Sequence, residues 1–461
     1  MRFHAAREHS RSFGRRAFLA AAVVVACSPL SAFAAESIDL TSSVVPGETA
    51  KVSVVLEVAG LLKFKNQDET KSLPTAVTAR FNYDEKRLPT AEGLAAARVY
   101  RTAEAKVEIN KQVSENRLRP EHAVVVVRST DAQPEMLCPT DRLTADELDL
   151  VQVPANSLLL EQLLPGRELV IGETWKHSDD LLCGLLNLDA VSLSDVQSEL
   201  AEIRPDAARI EMKGTVQGAV GGVATELTLT GRYKFDPERR RITWFALLLK
   251  EVRSIGHVEP GVEMQARLQM LLEPTSEVRE LAGVTESTLE SLAAPEALNI
   301  RYESLGGRYS FEHERRWHVM TDRDGVLSMR LVDRGELVAQ CNVTAVPTAD
   351  PAKKPTLTQF QADVSKSLGK NFRQFTKAGE SQNSIGHNVL RAEAVGTVEG
   401  LDITWIYYLV QSPDGRQVVF AFTCEQPMLE RMAAADEAII HSLRFTEPTQ
   451  TAAQPTLAPQ R

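Results

Sequence analysis

Aromatic residues make up only 6% of this 461-residue chain and cysteines number five. No apolar run beyond residue 34 approaches the twenty or so residues that cross a bilayer. The longest, "WFALLL" at 244–249 and "WIYYLV" at 405–410, hold six residues each, so no transmembrane segment is expected in the body of the chain. Cys138, Cys183, Cys341 and Cys424 are spaced too widely for a metal knuckle. One disulfide in each half and four buried thiols both remain open. Dense basic runs are scarce too. "RRR" at 239–241 falls in a turn, and a nucleic-acid partner is disfavoured because a phosphate backbone rewards clustered Lys and Arg.

Catalytic signatures are also missing. The sequence holds no Gly-x-Ser-x-Gly elbow, no phosphate loop and no dinucleotide fingerprint. In "HERRWH" (313–318) the two histidines are five apart, about 140° from each other on a helix and on opposite faces of a strand. A zinc-peptidase helix needs them four apart. "TDRDG" (321–325) reads as a hairpin turn rather than a calcium loop, and His177 to Asp180 as helix-capping letters. No metal and no cofactor is expected. A hydrolase would have to assemble from distant segments, with His122, His257 or His387 beside a carboxylate.

What is present begins with a leader. Five arginines precede or open an apolar run from Ala17 to Ala26, followed by Pro29 and Ala32-Phe33-Ala34, the pattern of a secretory signal peptide over 1–34. Arg15-Arg16 followed by Ala17-Phe18-Leu19 resembles a twin-arginine export signal, with a Sec leader as the alternative. Two cleavage sites compete. Ala32-Phe33-Ala34 suits an ordinary signal peptidase and is favoured, because Pro29 breaks the apolar helix where that site needs it. Val24-Val25-Ala26-Cys27 resembles a lipobox, which would make Cys27 a lipid attachment point. The expected product is exported, periplasmic or extracellular, with membrane anchoring through Cys27 as the alternative. Removing the leader leaves 47 Lys and Arg against 61 Asp and Glu, a net charge of −14.

The body reads as α+β, in two parts. Residues 35–273 are expected to form a mostly antiparallel β-domain with short helices. Thr144-Ala145-Asp146-Glu147 is a capping box, "NSLLLEQLLPG" (156–166) a short apolar helix, and "SDDLLCGLL" (178–186) a helix capped by Ser178. Period-two alternation between 207 and 272 predicts a four-stranded meander. One of its strands is apolar on both sides: Ile242, Trp244, Ala246 and Leu248 on one, Phe245, Leu247 and Leu249 on the other. Both faces should then be covered. A short helix over the second face is one explanation. An apolar groove at Phe245, Leu247 and Leu249 is the other, loosely similar in pattern to the sheets of bacterial periplasmic lipoprotein carriers.

Residues 274–297 lose the alternation and are expected to be a linker, and 448–461 a disordered tail. Between them, 298–447 carries "RYSFEHERRW", further strands, a helix at Thr356 to Leu368 stopped by Gly369, four more strands and a closing helix at 427–444. This order, with the "RYSFEHERRW" strand, resembles the PsbP-type fold of photosystem II extrinsic proteins. The resemblance implies a C-terminal α/β/α sandwich around an antiparallel sheet, and binding rather than catalysis. The expected function is therefore a non-catalytic exported binding or accessory protein of the bacterial cell envelope, whose partner is a protein or an apolar ligand. A carrier of an apolar ligand or lipid in the β-rich domain and a hydrolase are the alternatives.

Overall fold

The computed structural model describes residues 36–66, 69–129, 133–305, 308–348 and 354–446. The expected leader, Cys27 and the tail lie outside the described residues. From Glu36 onward the described residues form one compact unit. Strand accounts for 56% and helix for 17%, so β-structure dominates and helices serve to cover sheets.

The first sheet has thirteen strands and is antiparallel throughout. Its long members are β1 (Thr49–Asn66), β2 (Glu69–Leu88), β3 (Leu94–Ile109), β4 (Ala208–Val220), β5 (Val223–Asp236), β6 (Arg241–Arg253) and β7 (Gly261–Pro274). The meander expected between 207 and 272 is β4 to β7 in consecutive pairing. β7 then pairs with β1, so the start and end of this region meet at the sheet's centre. In β5 burial alternates residue by residue from Thr225 to Phe235, as period-two side chains on a half-buried sheet require. The inner face curls around α1 (Ala145–Val151), α2 (Asp179–Leu186) and the 3-10 segment Ser157–Leu163, and their leucines share one core with β1 to β7. Near the two ends of the sheet, the Gln133 amide donates to Leu188 O at 2.5 Å.

The two capping readings hold: Thr144 and Glu147 form the reciprocal box, and Ser178 accepts from Leu181 N; at the start of the 3-10 segment Asn156 also accepts from Leu158 N. The grouping of Ile242 with Trp244 does not. The ladder slips between Lys234 and Phe235, so Phe235 faces Ile242 while Lys234 faces Trp244. One extra residue, Thr243, turns Ile242 onto the same inner face as Phe245.

Residues 274–297 carry short helical segments, including Glu286–Ser291. Leu281, Val284, Leu292 and Ala297 are buried against Leu88, Ala95, Ala97 and Val126 of the first sheet. A second, seven-stranded antiparallel sheet follows. It comprises β8 (Trp317–Arg323), β9 (Val326–Asp333), β10 (Glu336–Val346), β11 (Phe372–Gln382), β12 (Asn388–Val398), β13 (Leu401–Gln411) and β14 (Gln417–Glu425), in the order β8-β9-β10-β14-β13-β12-β11.

α3 (Leu357–Leu368) covers one part of this sheet through Phe360 and Val364 on Leu390, Ala392 and Leu409. α4 (Ala435–Ser442), with the short strands Ile300–Glu303 and Tyr309–His313, packs on Phe420 and Phe422. The closing helix expected over 427–444 is broken. Leu429–Met432 ends at Ala433, whose φ of 50° and ψ of −128° leave helical space, before α4 begins. All four described cysteines are buried free thiols. Cys341 lies opposite Phe422 and Cys424 opposite Ala339, which makes the two a diagonal pair. Diagonal neighbours stand about 7–8 Å apart, wider than a disulfide bridges without backbone movement.

Candidate functional site

Phe245, Leu247 and Leu249 alternate on β6 and point inward, each at most 5% exposed. They share a core with Leu158, Leu159, Leu163, Leu181 and Leu185, and Tyr233 stacks on Phe245 with ring centroids 6.3 Å apart. Burying each such side chain stabilises by roughly 1.5–3 kcal/mol. The opposite face of β6 stays half-buried at Trp244, Ala246 and Leu248, with the Lys234 ammonium 5.6 Å from the Trp244 ring centre.

A cleft of about 870 Å³ opens beside these helices. One end of the sheet contributes Gly93 and Ser129, and the other Trp175 and Lys176; Leu159, Leu164 and Pro165 form an apolar wall, and His177, Ser178 and Asp180 a polar one. Trp175 sits on the three-residue strand Thr174–Lys176, and its indole N–H donates to Leu163 O at 2.9 Å, which fixes the ring.

Behind this wall lies a hydrogen-bonded chain. Tyr233 OH donates to Ser198 Oγ at 3.0 Å, and Ser198 Oγ lies 2.8 Å from His177 Nε2. Burial pushes the His177 pKa down to about 4, so the ring is neutral at pH 7. In the tautomer that carries its proton on Nδ1, Nε2 accepts from Ser198 and Nδ1–H remains as a donor. The pair has the spacing of a nucleophile and base. However, Ser198 is fully buried, and among the described residues no carboxylate hydrogen-bonds His177.

His122 is 1% exposed, and its Nδ1 lies 2.9 Å from Glu147 Oε2. Glu147 also accepts from Arg119 Nε at 2.8 Å and Thr144 N at 3.0 Å. Burial pushes the Glu147 pKa up, but bonds from Arg119, the Thr144 backbone and His122 outweigh it and hold it at about 2. A second cleft of about 510 Å³ lies beside Glu147 and Arg119, and Arg301, Tyr302 and Glu303 line it too. Its arginines Arg119 and Arg301 are held in ion pairs, Arg119 with Glu303 at 2.9 Å and Arg301 with Asp141 at 2.8 Å.

His257 is exposed, and its carbonyl accepts from Arg330 at 2.6 Å. His387 meets the Phe445 ring edge-on with centroids 5.1 Å apart. Deeper in the first sheet, Arg98 donates to Glu85 at 2.8 Å and to Ser157 Oγ at 2.9 Å. Burial opposes ionisation of Glu85, yet Arg98 and Arg87 keep its pKa below the ordinary value. Among the described residues no group of three metal-ligating side chains converges, and no helix is long and apolar enough to cross a membrane.

Sequence reasoning passed over Trp175, Ser198 and Tyr233. The one available signal was the isolated aromatic in "GETWKHSDD". Ser198 stands 21 residues from His177 and joins it only when the strand Gln197–Ile203 pairs with Thr174–Lys176.

No protein-family profile matches the chain, and no curated protein does. Solved structures similar to part of it include a protein from Bacteroides thetaiotaomicron VPI-5482, 14% identical over 32% of this chain, with a TM-score of 0.25; this chain spans 48% of its length. Cyanobacterial PsbP (CyanoP) from Synechocystis sp. PCC 6803 is 14% identical over 32% of this chain and 92% of its own, at a TM-score of 0.26. The Ran-binding protein Mog1p of Saccharomyces cerevisiae is 12% identical over 32% and 95%, at 0.25. These are weak structural neighbours, PsbP and PsbP-like folds among them.

Proposed function

We propose that this is a non-catalytic binding or accessory protein of the bacterial cell envelope, exported by its leader, and that it takes a ligand in the cleft at Trp175. One observation carries the reading. Glu147 is spent on Arg119 and His122 and Glu85 on Arg98, while the cleft of about 870 Å³ offers a fixed indole and a neutral histidine. An apolar wall beside a few convergent polar groups is the usual make-up of a small-ligand site. The ligand fitting it has an apolar body for Leu159, Leu164 and Trp175 and an acceptor for His177 Nδ1–H. In this reading 298–447 is the PsbP-type accessory half, supported by the order of its elements.

Native mass spectrometry of the protein isolated from its host tests the proposal. A bound small molecule is expected, displaced in Trp175→Ala without loss of folding. Ligand-free protein, with no extract of envelope small molecules raising the Tm of wild type above that of Trp175→Ala, would sink it. A bound lipid that survives Trp175→Ala would instead point to the carrier reading at Phe245, Leu247 and Leu249.

A further inference from the structure

The outer face of the first sheet holds a pattern that the cleft does not use. Strand register sets its side chains in rows. Lys234, Trp244, Leu271 and Ser53 stand side by side across β5, β6, β7 and β1. The next row is Arg232, Ala246, Gln269, Val55 and, on β2, Arg80. The third is Lys213 on β4, Thr230, Leu248, Arg267 and Glu57, with Lys250 one row further on β6. Trp244, Ala246 and Leu248 thus form an apolar stripe continuous with Leu271 and Val55, which are 42% and 46% exposed.

Around that stripe stand six cations, Arg80, Lys213, Arg232, Lys234, Lys250 and Arg267, against the carboxylates of Glu57, Glu104 and Glu211. Among the described residues only Arg232 of the six is in an ion pair, with Glu211 at 3.3 Å. Two rows beyond Leu248 the sign reverses, with Glu226 and Glu263 on either side of Val252. The basic patch is bounded and runs against the acidic balance of the whole chain.

We propose that this face docks on an anionic lipid surface. Isolated cations would suit any polyanion. An indole at one end of an aliphatic stripe, with Lys234 beside it and cations flanking the rest of the stripe, matches the two layers of a membrane interface, where aromatic and aliphatic groups enter the headgroup boundary while Lys and Arg meet lipid phosphates. Lys234, lying over the Trp244 ring, is placed to keep its ammonium at the phosphates as the indole sinks. The proposal is independent of the Trp175 cleft.

The chain beginning at Ala35 serves for the test, since the residues from Glu36 onward form one compact unit and the basic leader would bind lipid by itself. It is sedimented with vesicles of phosphatidylcholine alone or with about one third phosphatidylglycerol. Binding is expected only to the anionic vesicles and is expected to fall with added salt. Each cation near such a surface is worth roughly fivefold in binding, so the charge reversals Lys250→Glu and Arg267→Glu together should weaken it by a hundredfold or more at unchanged Tm. Trp244→Ser should weaken it while leaving the salt dependence intact. Failure to bind anionic vesicles at low salt overturns the proposal and leaves the face for an acidic protein. Binding that survives the double reversal, or that matches on neutral vesicles, overturns it equally.

Discussion

His313 ends its strand almost fully buried, donating Nδ1–H to the Glu314 carbonyl at 2.9 Å. Burial pushes its pKa down from 6.5 to about 4, against the opposing effect of that bond. In the unfolded chain the ring takes a proton below pH 6.5, and in the fold only below about 4. The unfolded state therefore binds more protons in that window. Stability is whole above pH 6.5 and falls by about 3 kcal/mol as pH drops toward 4. Glu147 acts lower: its pKa falls from 4.5 to about 2, so its contribution is present above 4.5 and is lost as pH falls toward 2. His177, also lowered to about 4 by burial, acts in the same window, so urea unfolding at stepped pH should show a slope between 6.5 and 4 that falls by about half in His313→Gln, with the loss below 4.5 retained. An unchanged upper slope would place the acid sensitivity elsewhere. The residue scale is also where the sequence was least legible. The spacing of "HERRWH" speaks against a metal site but says nothing of burial. His313 lies 6.0 Å, ring centre to ring centre, from Phe311, itself part of a buried core assembled from distant segments, which no local pattern displays.

Elements were legible wherever one physical rule governs them locally. Thr144, Ser178 and Thr356 cap the helices expected of them, and Asp324-Gly325 turns β8 into β9 with φ of 55° and 77°. Misreadings arose where one residue breaks a period. Thr243 shifts Ile242 to the other face, and Ala433 cuts the closing helix although Leu429, Met432, Ile439 and Ile440 keep an apolar pattern through it. Ala433 adopts nearly the angles of Gly369, φ 54° and ψ −126°, a region that glycine occupies far more readily than alanine. Holding alanine there costs on the order of 1–3 kcal/mol, while glycine loses roughly 0.5–1 kcal/mol more chain entropy on folding. Ala433→Gly should accordingly stabilise by about 1 kcal/mol, read as a higher urea midpoint at constant m-value. A lower midpoint would mean that the break is not strained.

Across the whole molecule the two sheets are held together by contacts that no segment of sequence announces. Arg315, held by Leu298 O at 2.8 Å, reaches from the second region to Met136 O at 2.6 Å, and Arg301 N donates to Leu143 O at 2.8 Å. Residues 274–297, polar enough to read as a linker, bury four apolar side chains against the first sheet. The tightest of these contacts joins two hairpin turns. Gly222, between β4 and β5, meets Gly335, between β9 and β10, so closely that a Cβ on Gly222 would stand 2.2 Å from Gly335 Cα and 2.3 Å from its nitrogen. Both atoms are backbone and cannot rotate away, so the turns must part. A second glycine separates this contact from backbone preference. Gly325 has φ of 77°, close to the 72° of Gly222, but a Cβ there meets nothing within 4 Å. Gly222→Ala and Gly325→Ala therefore share the cost of a left-handed alanine, about 1 kcal/mol. Only the first adds the clash, roughly 1–3 kcal/mol for overpacking a tight contact. Thermal unfolding should show a larger loss in Gly222→Ala than in Gly325→Ala. Protease cleavage within 274–297 should quicken in Gly222→Ala alone, because parting the turns loosens the second sheet from the surface that those residues cover. Equal losses in the two variants, with equal resistance to protease, would show that the glycine contact carries no part of the join, which would then rest on Arg315, Arg301 and the buried apolar residues of 274–297.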